Sequence, residues 1–249
     1  MRPTIGALTR VLVASAMALI GSCASTTREG AHPHDASAIQ HEAMARTEQA
    51  EAEIHARRYG SSARTAEPSC ADLLGSSGCW SSSSSSAEEH RERVEEHRKR
   101  AAEHRAASRA LRDAETRACT WVSPHDRDRS PFDHREDIAS VSPLMVDEPD
   151  PDGDDIGVVE GERLAGAVVT FRALPGMTEQ WLRRIVECHL ARNAALGHDV
   201  PEMPYCPLVP RNVTAHVSST ASGFAVELQS GDAETAREVL RRAQALVAH

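Results

Sequence analysis

EHRERVEEHRKRAAEHR, from Glu89 to Arg105, repeats the triplet Glu-His-Arg three times at intervals of seven and so decides how the first half of the chain folds. No Gly or Pro interrupts the run from Ala87 to Ala118, and Ser86-Ala87-Glu88-Glu89 fits a capping box that starts a helix. Glu89–Arg93, Glu95–Lys99 and Glu96–Arg100 are acid-then-base pairs at i,i+4, each adding a few tenths of a kcal/mol. These charges would suit a lone solvated helix, but the heptad implies a partner. Ala87, Val94, Ala101 and Ser108 form one line, and His90, His97, His104 and Leu111 form a second three residues on. These are the a and d positions of a helix seam, small at a and imidazole at d.

An earlier segment repeats the scheme. Ala38, Ala45 and Ala52 recur every seven residues, and His41, Glu48 and His55 follow them at d. Two such helices joined by a loop predict an antiparallel hairpin over 36–118, with a Gly/Pro/Ser-rich loop at 59–85. If His55 lies beside His90, each step of seven brings Glu48 to His97 and then His41 to His104. A shift of one heptad would preserve the seam equally well, so the pattern alone leaves the register open.

Beyond the hairpin the period changes. Residues 119–136 read as a polar linker, and 137–249 as a small α+β domain. In this domain, 137–146 suggests a strand interrupted at Pro143. Ala167, Val169, Phe171 and Ala173 alternate in a second strand, and Thr178 caps a helix that Gly197 ends. Its inner face carries Trp181, Leu182, Ile185 and Val186. Val213, Ala215, Val217 and Phe224, Val226, Leu228 flank Ser222-Gly223 as a hairpin, and Asp232 opens a last helix. The order is ββαββα. The expected fold class is therefore α+β: a long antiparallel helical hairpin, then an antiparallel sheet with two helices on one face, ferredoxin-like in packing with permuted strands. The acidic stretch 147–155 has the aspartate spacing of a calcium loop. However, Asp155 stands where such a loop needs glycine, and Gly161 where it needs the bidentate glutamate.

The first residues speak to location. Arg2 and Arg10 precede an apolar stretch from Val11 to Ile20, too short to span a bilayer and suited to a secretory leader. It ends in Ile20-Gly21-Ser22-Cys23, which resembles the lipobox of bacterial lipoprotein precursors. That resemblance covers only this segment. It implies a signal peptide over 1–22, removal before Cys23, and lipidation of Cys23 as the membrane anchor. Ala24, in place of a retaining aspartate, implies the outer membrane facing the periplasm. Residues 23–35 then form a flexible tether. The whole chain carries a formal charge of −9, and loss of Arg2 and Arg10 with the leader makes it −11. An acidic exported chain is a poor fit to nucleic acid. Aromatics make up only 3% of the chain, so any core must be mainly aliphatic.

With Cys23 lipidated, five cysteines remain, in a compartment that favours disulfides. The expected pairs are Cys70–Cys79 at the hairpin tip and Cys188–Cys206 in the C-terminal domain, leaving Cys119 as a free thiol or an intermolecular link. Cys79 cannot reach Cys119 along a straight helix of roughly 48 Å. A second reading of the same side chains is metal binding. Cys188, His189, His198, Met203 and Cys206 offer thiolate, imidazole and thioether suited to Cu or Zn. His41, His55, His90, His97 and His104 would need ligands from both helices, because imidazoles seven apart on one helix stand about 10.5 Å from each other. No G-x-S-x-G, H-E-x-x-H, P-loop or C-x-x-C motif occurs. The expectation is a non-enzymatic envelope lipoprotein without a cofactor, a helical spacer carrying a domain that meets an envelope protein partner. The alternative is a periplasmic Cu- or Zn-handling protein.

Overall fold

The computed structural model describes residues 36–65, 69–73, 76–80, 85–147 and 161–248, with side chains from 61–86 left out. The expected leader, Cys23, the expected tether and the acidic stretch beyond Asp147 lie outside the described residues. The chain is α+β, as expected. Helix α1 (Ala38–Thr65) and helix α2 (Ser85–Ala118) form the hairpin, joined through a two-stranded antiparallel ribbon of β1 (Ser69–Leu73) and β2 (Ser76–Trp80). Helix α1 runs past the break expected near residue 59. Gly60 costs an exposed helix interior only about 1 kcal/mol, and no proline appears until Pro68.

The heptad lines become the hairpin interface. Ala38, Ala45 and Ala52 of α1 and Val94, Ala101 and Ser108 of α2 are buried, as are His41, Glu48 and His55. Small a residues allow close approach, which leaves the d side chains facing one another instead of water. At the open end of the hairpin, the Ser108 hydroxyl donates to the Ala38 carbonyl at 2.8 Å.

A short helix α3 (Pro124–Asp128) and a 3-10 turn (Arg135–Asp137) lead into the sheet. Strands β3 (Ile138–Asp147), β4 (Glu162–Arg172), β5 (Thr214–Thr220) and β6 (Gly223–Gln229) lie in the order β3-β4-β6-β5, and every neighbouring pair is antiparallel. Strands β4 and β5 are thus parallel across β6, linked by helix α4 (Glu179–Ala195) in a split β-α-β arrangement. Pro143 does not interrupt β3; it pairs opposite Ala167. An edge strand needs its donors on one side only, so it tolerates proline. A Cβ on Gly166 of β4 would collide with the Leu228 carbonyl of β6, which fixes glycine at that position.

Helix α4 and helix α5 (Ala233–Ala245) cover one face of the sheet. Thr178 caps α4 by accepting from the Trp181 amide, and Asp232 caps α5 by accepting from the Thr235 amide. Ala167, Val169, Phe171, Val217, Val226 and Leu228 from the sheet pack against Leu182 and Val186 of α4 and Val239, Ala243 and Leu246 of α5. Trp181, assigned to the inner face of α4, instead points outward at 39% exposure. The connector 119–136 is itself packed on this unit. Phe132 is completely buried, its ring 5.7 Å from that of Phe171, and Arg192 binds Asp128 at 2.6 Å.

The hairpin joins the sheet unit at its open end. Ala38 and Leu111 cluster with Ala194 and Ala195 of α4, and Gly197 lies against Ser37. Helix α1, with 28 residues, is about 42 Å long. The ribbon tip therefore lies far from the sheet unit, while Ser37 and Ala38 lie against it.

Candidate functional site

The seam sets three layers in register. His41 and His104 face each other with Nδ1 atoms 3.1 Å apart, and His55 and His90 do the same at 3.1 Å. Between them the Glu48 carboxylate lies 2.6 Å from His97 Nδ1 and accepts from Arg100 Nε at 2.9 Å. Arg100 also bonds Glu96. Of the registers the heptad permits, the structure adopts the one that sets His55 by His90.

These layers have definite proton requirements. In both histidine pairs the ring centroids are 5.3 Å apart while the facing nitrogens are 3.1 Å apart, so the rings meet nearly end-on. One Nδ1 must carry a proton and the other must be bare, because two bare nitrogens or two N–H groups could not bond. His41 is fully buried and its Nε2 has no partner. A bare buried acceptor is less costly than a bare buried N–H, so His41 is best placed as the Nδ1 donor to His104. His55 also stacks on His97, with centroids 5.4 Å apart. Burial holds the His55 imidazole below its ordinary value, and His90, His97, Arg93 and Arg58 add to the shift.

The C-terminal candidates do not converge. Cys188 is disulfide-bonded to Cys119, with Cα atoms 4.6 Å apart, which overturns the expected Cys188–Cys206 pair and the free Cys119. The reason lies in how α4 is turned. Its Cys188 edge faces the end of α2, whereas Cys206 is buried in the sheet core, where its sulfur accepts from the Ser130 hydroxyl at 3.2 Å. Burial pushes the Cys206 thiol up. His189 is fully buried, and its Nε2–H donates to the Asp126 carbonyl at 2.9 Å. Burial lowers the His189 pKa. His198 Nδ1–H donates to the Val209 carbonyl at 2.8 Å, and Met203 belongs to the core. Among the described residues, no three His, Cys, Asp or Glu side chains surround a common point. Cys70 and Cys79 are direct partners in the β1–β2 ladder, a backbone placement compatible with a bridge.

Two surface features escaped the sequence reading. Trp121 is 88% exposed with φ +72°, and it borders a small pocket with Trp181, Gln180 and Arg184. An apolar groove also runs between α2 and α4. Neither has a local signal, because both arise where distant segments meet. No described helix is long and apolar enough to cross a membrane. Fold and site together define an α+β protein with a histidine-seamed helical arm. No family model, curated protein or solved structure matches the chain.

Proposed function

We propose that the chain is a non-enzymatic cell-envelope lipoprotein, anchored through lipidated Cys23 in the outer membrane, whose helical hairpin is a spacer and whose small α+β domain meets a protein partner in the periplasm. The observation that carries this reading is the run Ile20-Gly21-Ser22-Cys23 behind Arg2, Arg10 and a short apolar stretch, which resembles a lipobox. The segment that follows Cys23 leads to Ser37, which packs against Gly197 of the sheet unit. Trp121, exposed in a strained backbone conformation, offers a contact for the partner. The proposal assigns no reaction. Cys206, the free cysteine among the described residues, is buried with a raised pKa, which suits packing better than nucleophilic attack. Membrane fractionation of wild type and Cys23→Ser tests it: the variant should be unprocessed or soluble, and fatty-acid labelling that survives in Cys23→Ser would refute the anchor.

A second reading, copper or zinc handling, is favoured by the facing Nδ1 atoms of the two histidine pairs. Metal analysis of the purified chain after mild dialysis tests it. Stoichiometric metal that is lost on replacing His41 and His55 would support it.

A further inference from the structure

We propose that the groove between α2 and α4 is a binding site for a neutral acyl chain, and that its occupant is an acyl chain carried by Cys23. The occupant rests on the lipoprotein reading; the chemistry of the groove does not. The groove is open along one side and has a volume of about 780 Å³, within the roughly 300–1,000 Å³ of ligand sites. Its walls are Leu111 and Ala114 of α2, Leu190 and Ala191 of α4, and Val213 ahead of β5.

The groove stays open because both helices are clamped on either side of it. The Cys119–Cys188 disulfide ties them at one end, and the Ala38, Leu111, Ala194 and Ala195 cluster closes the other. Alanines at 114 and 191 then leave a gap where larger side chains would have filled it. The polar groups at its margin include Glu187 and His198, the latter already donating to Val209. A carboxylate at the rim disfavours a free fatty acid and is indifferent to an ester or amide. That selects a neutral acyl group, the form in which a lipidated cysteine carries its chains.

The location supplies the occupant. Ser37 packs against Gly197, the residue next to His198 at the groove margin. The fourteen residues from Cys23 to Ser37 span at most about 50 Å, so lipid on Cys23 can reach the groove with slack to spare. In water, the chain would be sheltered there; a bilayer would compete for it.

The test is a titration of the Cys23→Ser chain produced without residues 1–22 with a monoacylglycerol bearing a fluorescent conjugated acyl chain. Saturable 1:1 binding in the roughly micromolar range is expected, weakened about tenfold or more by Ala114→Trp or Ala191→Trp, which fill the groove. The corresponding free fatty acid should bind more weakly at pH 8. Both alanines are half-buried, and a circular-dichroism melt checks that each variant is folded. Should one misfold, the other and the fatty-acid comparison still decide. No saturable binding, or equal binding by folded tryptophan variants, would overturn the groove. Acylated wild type should bind the probe at least about tenfold more weakly than Cys23→Ser, because its own chain competes. Equal binding by both would overturn the occupant. An intact mass showing unacylated Cys23 would sink the lipoprotein reading and the occupant, while leaving the groove to the first titration.

Discussion

At the scale of residues, buried His55 makes the arm sensitive to protons. Protonating both members of a pair sets two N–H donors and two positive charges against each other at 3.1 Å. His55 is depressed chiefly by burial, so the unfolded chain binds that proton more readily than the folded one. Its contribution to stability is complete above about pH 6.5 and is lost as the pH falls below that value toward the folded pKa. Buried His189 acts in the same direction in the sheet unit. The helical melting midpoint should therefore be lower at pH 5 than at pH 7.5. A His55→Leu, His90→Leu double variant should reduce that difference, and a flat midpoint in wild type would refute it. Glu48 works differently. It is the seam carboxylate that Arg100 and His97 share, and Glu48→Gln should destabilise the chain by about 1–3 kcal/mol in urea unfolding at pH 7.5. An unchanged midpoint would mean that the pair contributes nothing.

At the scale of elements, α2 belongs to both halves of the molecule. It zips against α1 along the seam and is bonded to α4 through Cys119–Cys188, 69 residues apart. Non-reducing peptide mapping should recover that pair and no Cys188–Cys206 peptide, with Cys206 slow to alkylate until the chain unfolds. Replacing Cys119 and Cys188 by serine should cost about 2–4 kcal/mol. Phe132 sets where the sheet unit begins. A fragment from about Glu136 lacks this buried ring, and Phe132→Ala should cost the full chain about 3–5 kcal/mol by denaturant unfolding. If the fragment from Glu136 melted as cooperatively as one starting at Cys119, Phe132 would be dispensable. The heptads made the hairpin readable, since each seam residue has its partner at a fixed period. The disulfide was not readable, because cysteine spacing carries no record of which way α4 is turned.

At the scale of the whole molecule, the arm extends from one end of a compact base. Small-angle scattering from Cys23→Ser should show an elongated particle, its long dimension set by a hairpin of about 42 Å beyond the base. A globular profile would require α1 to fold back on the sheet. The same arrangement places Ser37, the α2–α4 groove and the exposed Trp121 on the base, and the ribbon of β1 and β2 at the far tip.

The sequence by itself determined the periodic features: two seamed helices, a ββαββα order, and caps at Thr178 and Asp232. Each depends on neighbours within a turn or a strand, so local chemistry suffices to specify it. Only the tertiary structure chose among heptad registers, joined Cys119 to Cys188, kept Pro143 in an edge strand and packed Phe132 into the core. Those outcomes depend on which surfaces meet, and the energies that decide them come from burial and contact between segments far apart in the chain.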